Sequence, residues 1–164
     1  MTTLDTARGT LGLDPSGTAQ IQFVRHLPVP PERAWAWLTD PDLLQRWLPG
    51  CRIEPRVGGT ALFDFGEEGT ATGEVTAVDE PGLLEHTWVW EGVPDSLVRW
   101  ELQADDGGTR LTLTHADVAS GPAPEFAVGW HVMLDALGLA TDGADDPVGA
   151  AWSRLEQVVP FYNA

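Results

Sequence analysis

Between residues 52 and 117 the chain is broken every few residues by turn chemistry, and no stretch between two breaks is longer than one strand. The breaks are Gly58-Gly59, Glu67-Glu68-Gly69, Asp79-Glu80-Pro81-Gly82, Gly92 to Asp95, and Asp105-Asp106-Gly107-Gly108. Parallel strands need a crossover of about a dozen residues or more, so short Gly- and Asp-rich connections restrict this region to antiparallel neighbours in a meander. Each stretch also alternates. Ala61, Phe63 and Phe65 share one side, as do Leu84, His86, Trp88 and Trp90; Val98, Trp100 and Leu102; and Leu111, Leu113 and His115. Arg99, Glu101, Arg110, Thr112 and Thr114 take the other. The sheet therefore has one apolar face and one wet face.

The flanks change period. Residues 18–27, TAQIQFVRHL, alternate again, with Ile21, Phe23, Arg25 and Leu27 on one side. With residues 8–12 and the DPSG turn at 14–17 they suit an opening hairpin. Residues 1–17 read as an N-terminal extension or extra edge strand, with 1–7 loose, and 18–164 as a single domain. PVPPERAWAWL then starts a helix at its prolines, and TDPDLLQRWLPG starts a second at Asp40-Pro41 and stops at Pro49-Gly50. Two helices this short are marginal alone and must dock on the sheet. Near the end, residues 124–140 carry Phe126, Trp130, Met133, Leu134 and Leu137 at spacings of three and four, a helix of about 25 Å. Asp142 to Pro147 interrupts it, and Val148 to Val159 resumes. The order is strand, two short helices, a meander of about six strands, then one helix long enough to cover a sheet. A curved sheet closing on such a helix leaves a wedge between them, a usual place for a ligand.

Composition narrows the partners. Twenty-five acidic residues face nine basic ones, all arginine, for a net charge of −16. Nucleic acid and anionic membranes would be repelled. No apolar run approaches the ~20 residues of a membrane span, and MTTLDTARGT lacks a signal-peptide pattern. The lone Cys51, read as a loop residue without a base beside it, forms no internal disulfide and fits a cytoplasmic location. Arginine without lysine is a composition common in bacteria with GC-rich genomes.

The ordered set AWAWLTDPDLLQRW at 34–47, VGG at 57–59, GEV at 73–75, Pro81, Leu84, Thr87-Trp88, TRLTLTH at 109–115 and Gly129-Trp130 resembles the START-like (SRPBCC, helix-grip) superfamily. Within it, the chain looks most like the branch named for homologues of the heat-shock-protein-90 ATPase activator. The resemblance spans roughly residues 20–140. It implies an α+β helix-grip fold: a curved antiparallel sheet of about six or seven strands wrapped around a long C-terminal helix, with two short helices after the first strand. It also implies an internal pocket for apolar small molecules. It implies no particular reaction, because members range from carriers to cyclases.

Eight tryptophans set the central question. Trp, Phe and His side chains could tile a solid core or wall a cavity. Rigid indoles on adjacent strands suit walls better than close packing, which Leu, Ile and Val achieve more easily. The expected ligand-binding residues are Phe63, Phe65, Trp88, Trp90 and Trp100 from the sheet, Trp130, Met133 and Leu137 from the helix, and His115 as a polar anchor. The helices bearing Trp35 and Trp47 would gate the entrance. Gly129 reads either as close packing on the sheet or as room for a ligand. His131 is placed at the rim or in solvent, and Asp64 with Glu74 is a weak acid–base pair. No two histidines have metal-ligand spacing, so neither metal nor cofactor is expected. The leading function is binding of an apolar or aromatic small molecule. The alternatives are an enzyme of cyclase, dehydratase or hydrolase type using His115, with its catalytic set unknown, and a chaperone-associated interaction module. A homodimer stays possible.

Overall fold

The computed structural model describes residues 8–13 and 16–162. The expectation for residues 1–7, and half of the turn at 14–17, lies outside them. Eight strands form one antiparallel sheet: β1 (Thr10–Leu13), β2 (Thr18–Leu27), β3 (Cys51–Ile53), β4 (Thr60–Asp64), β5 (Thr70–Asp79), β6 (Leu83–Trp90), β7 (Ser96–Asp105) and β8 (Gly108–Ala119). Their order across the sheet is β1-β2-β8-β7-β6-β5-β4-β3. β2 therefore crosses from one end of the meander to pair with its last strand. The short β1 and β3 form the two edges and leave the sheet unclosed. They raise the strand number above the six or seven expected: β1 is the edge strand that the opening hairpin called for, and the three residues of β3 are too few to show alternation.

Register shifts at Ala19/Ile21 in β2 and Val75/Ala77 in β5 mark bulges. A bulge bends its strand and increases the twist, which curves the sheet. Glycine governs one further point. A Cβ on Gly73 of β5 would land on the Thr87 carbonyl oxygen of β6. Gly73→Ala is therefore expected to push the two strands apart and cost about 3 kcal/mol. Equilibrium urea unfolding will measure it, and an unchanged midpoint would contradict the close approach.

Helices α1 (Pro31–Thr39) and α2 (Pro41–Leu44) follow β2. Proline opens both, and the Asp40 side chain caps α2 by accepting from the Asp42 N–H at 2.9 Å. α2 is shorter than its apolar stripe suggested; residues 45–50 continue as turns. Trp47 in those turns is buried and donates its indole N–H to the Trp37 carbonyl at 2.9 Å. Cys51 is no loop residue: it lies buried in β3, and burial pushes its thiol up to about 12. It is a packed, unreactive side chain.

Helix α3 (Ala123–Thr141) is the long element, 19 residues, laid against the concave apolar face. The tail resumes as two short helices, α4 (Pro147–Trp152) and α5 (Leu155–Val158), with a 3-10 turn after them. Asp146 caps α4 through the Gly149 N–H. Among the described residues no helix is long and apolar enough to cross a membrane.

Candidate functional site

The space between sheet and α3 is divided in two. One part is solid. His86 of β6 and His115 of β8 are both 0% exposed, and each accepts a tryptophan N–H. Trp100 Nε1 donates to His86 Nε2 at 3.1 Å, and Trp130 Nε1 donates to His115 Nδ1 at 3.0 Å. Each acceptor nitrogen must be unprotonated, so the proton of each neutral ring sits on the other nitrogen. His86 Nδ1–H then donates to the Thr87 carbonyl at 3.0 Å, and His115 Nε2–H to Ser96 Oγ at 2.7 Å. Burial lowers His86 to about 4; burial, and to a lesser degree His86 itself, lowers His115 to about 3. A serine beside a histidine looks like a nucleophile with its base. Here the facing nitrogen carries a proton and cannot take another.

The other part is hollow. A cavity of about 1110 Å³ lies between the first half of α3, the ends of β4 and β6, residues 47–49 and the C-terminal helices. Its deep wall is Trp88, Trp130 and Met133, all nearly inaccessible to water. Its sides are the half-buried Phe65, Trp90 and Phe126, and its mouth carries the exposed Trp152 and Val159. Trp88 and Trp90 stack nearly parallel, with an interplanar angle of 8° and centroids 6.3 Å apart; Phe126 meets Trp90 edge-on at 5.6 Å. The fit of Trp90 depends on backbone geometry. Gly69 has φ +133°, and a Cβ there would come within 2.5 Å of the Trp90 ring.

Of the side chains singled out from the sequence, Phe65, Trp88, Trp90, Trp130 and Met133 line this hollow. Phe63, Trp100, His115 and Leu137 do not: they lie in the solid part. Phe63 sits behind Trp88, centroids 5.0 Å apart, and Trp100 is wedged between Trp47 and Trp130. Alternation gives the face of a strand but not the depth along it, and α3 crosses the sheet so that only its first half stands clear.

Gly129 faces the hollow. A Cβ there would meet only Met133 Cε at 3.8 Å, so close packing on the sheet does not explain it. His131 is not at the rim. It is fully buried on the far side of α3, where Nδ1 and the Tyr162 hydroxyl lie 2.8 Å apart and Nε2 stands 3.5 Å from Asp135. Tyr162 in turn accepts the Gly9 N–H at 2.8 Å, and Asp135 pairs with Arg25 at 2.8 Å. Both ends of the described chain cover that face, so α3 is buried nearly all round. Asp64 and Glu74 form no pair; β4 is paired through Asp64↔Thr70 at one end and Thr60↔Glu74 at the other. The lining residues not singled out as ligand-binding, Trp152, Val159 and Leu48 among them, come from segments far apart in sequence.

The model of the family "Activator of Hsp90 ATPase homolog 1-like protein" matches residues 28–140. Curated proteins give no match. Among solved structures, CalU16 from Micromonospora echinospora is 28% identical, with 96% of this chain and 98% of that one covered and a TM-score of 0.72. The protein encoded by gene BPP1335 of Bordetella parapertussis is 28% identical over 99% of this chain and 94% of its own, with a TM-score of 0.71. The Aha1 dimer of Colwellia psychrerythraea shares the fold, at 20% identity, 77% and 98% coverage and a TM-score of 0.68. The chain belongs to the family of activator of Hsp90 ATPase homolog 1-like proteins.

Proposed function

We propose that this protein binds an apolar or aromatic small molecule in the hollow between α3 and the sheet. The observation that carries this reading is the hollow itself: about 1110 Å³ with a mostly apolar lining that includes five tryptophans and two phenylalanines. Ligand sites commonly enclose roughly 300–1,000 Å³ of mostly apolar surface with few polar groups. Trp152 and Val159 at its mouth are exposed to solvent, so a guest has a way in.

The two other readings have less support. An enzyme using His115 needs a nitrogen free to exchange a proton, and both are engaged away from the hollow. A surface that docks a chaperone calls for a contiguous exposed apolar patch. Among the described residues the exposed large apolar side chains are Val24, Val57, Val89, Trp152 and Val159, and the last two border the hollow.

N-phenyl-1-naphthylamine, neutral and fluorescent in apolar surroundings, tests the proposal. Titration is expected to give saturable enhancement at one site with a Kd of about 1–50 μM, and quenching of the tryptophans that line the hollow. Linear, unsaturable enhancement would sink the reading.

A further inference from the structure

One wall of the hollow belongs neither to the sheet nor to α3. Val148, Trp152, Leu155 and Val159 form it, and all four come from residues 147–162. That segment is α4, α5 and a 3-10 turn, six, four and three residues long. None approaches the roughly 12–15 residues that an isolated helix needs, so the segment keeps its shape only by what holds it down. Trp47 and Leu48 also border the hollow from a short connection. Both are buried, however, and the Trp47 indole is tied to the Trp37 carbonyl at 2.9 Å.

The segment is anchored at its two ends. At the start, Asp146 caps α4, and Pro147 and Ala151 are buried. At the other end Val158 is fully buried, and Tyr162 is 7% exposed on the far side of α3, outside the lining of the hollow. The Tyr162 hydroxyl accepts the Gly9 N–H at 2.8 Å and stands 2.8 Å from His131 Nδ1. Its ring leans on Phe23 and His131, with centroids 6.1 Å and 5.8 Å away. The segment therefore runs from the mouth of the hollow, past α3, to the residues that lead into β1. Between the anchors, Trp152 and Val159 are 39% and 38% exposed. A guest in the hollow removes part of that apolar surface from water, which favours a segment drawn in over it.

From these together we propose that residues 147–162 act as a strap across the guest, and that Tyr162 is its latch: a positioning residue that sets how fast the guest leaves without touching it. This rests on the hollow being a ligand site. When the latch parts, the strap loses its far anchor, Leu155 and Val159 lift from the hollow, and the mouth widens. When a guest is bound, it holds those two side chains, and with them the strap, in the closed position. The two events are linked. A guest that favours the closed strap favours the Gly9–Tyr162–His131 contact by the same factor, so occupancy of the hollow is felt on the opposite side of α3.

Two measurements test this. Tyr162→Phe deletes the hydroxyl and its two polar contacts but keeps the ring in its packing. After rapid dilution in a stopped-flow cell, N-phenyl-1-naphthylamine is expected to leave this variant at least about fivefold faster than it leaves the unaltered protein. A role in stability alone would lower the urea midpoint and leave that rate unchanged. The second measurement needs no substitution. Hydrogen exchange at the Gly9 amide, followed by NMR, is expected to slow at least about threefold when the probe saturates the hollow, because an amide beside a short edge strand exchanges through local opening. In Tyr162→Phe that slowing is expected to vanish. An unchanged dissociation rate, or exchange at Gly9 indifferent to the probe, overturns the strap and leaves the ligand site standing. If the probe does not bind the unaltered protein at all, both readings fall.

Discussion

Gly129→Trp is expected to abolish binding of N-phenyl-1-naphthylamine while leaving the fold at least as stable. The side chain would project from α3 into open space, because the only atom near a Cβ at this position is Met133 Cε at 3.8 Å. An indole there takes the room opposite Trp88 and Phe126. Affinity should fall by at least about tenfold, the usual effect of filling a pocket with a bulky ring. Stability should not fall, because glycine inside a helix is about 0.8–1 kcal/mol worse than alanine and about 0.5 kcal/mol worse than tryptophan. Gly129→Ala is the companion: binding nearly unchanged, and a gain of about 1 kcal/mol in urea unfolding. A Gly129→Trp protein that binds normally would place the guest elsewhere. One that binds weakly and also unfolds more easily would show that the position packs against something after all.

Stability should fall steeply as the solution is acidified from pH 7.5 to pH 5. His86 and His115 have folded-state values of about 4 and about 3, against 6.5 for an unperturbed histidine. Above pH 6.5 both are neutral in either state, and the folded protein loses nothing. Below it the unfolded chain takes up protons that the folded core refuses, so stability drains away as pH falls towards the folded-state values. Each such group contributes a slope of up to about 1.4 kcal/mol per pH unit, so the pair removes about 4 kcal/mol by pH 5. His131, also held low by burial against the pull of Asp135, adds in the same direction. That loss is a large fraction of an ordinary stability of about 5–15 kcal/mol. Guanidinium unfolding at both pH values measures it. His115→Asn, whose amide oxygen can still accept from Trp130, should be less stable at pH 7.5 and show about half the slope from this pair. A flat profile between the two pH values would mean that the histidines are hydrated or charged in the folded protein.

The fold was largely legible before any coordinates, and the site only in outline. The meander could be read because Gly- and Asp-rich turns bound each strand and because alternation assigned each strand a face. The long helix could be read because Phe126, Trp130, Met133 and Leu137 repeat at helical spacing. Edge strand β1 was legible as the first arm of an opening hairpin, whereas β3 lacked the length to show a period. Cys51 and His131 went astray for a related reason. Local sequence marks which side of an element is apolar, but not what another part of the chain lays over the opposite side. Tyr162, itself held by the Gly9 N–H, covers His131 from thirty-one residues further along the chain.

Depth was decided in the same way. Phe63 lies on β4 and Phe65 just beyond its end, yet alternation alone put both on one face; the first is core and the second wall. His115 faces inward from β8, as alternation requires, but its nitrogens are consumed by Ser96 and Trp130.

From sequence alone came the antiparallel topology, the one apolar face, the covering helix and the charge of −16, because each depends on neighbours in the chain or on a simple sum. Which aromatic side chains fill space and which enclose it was decided only by tertiary structure. A cavity is the volume left between elements, and its walls come from residue 47 at one extreme and residue 159 at the other. No period or motif within a single segment encodes the distance between them.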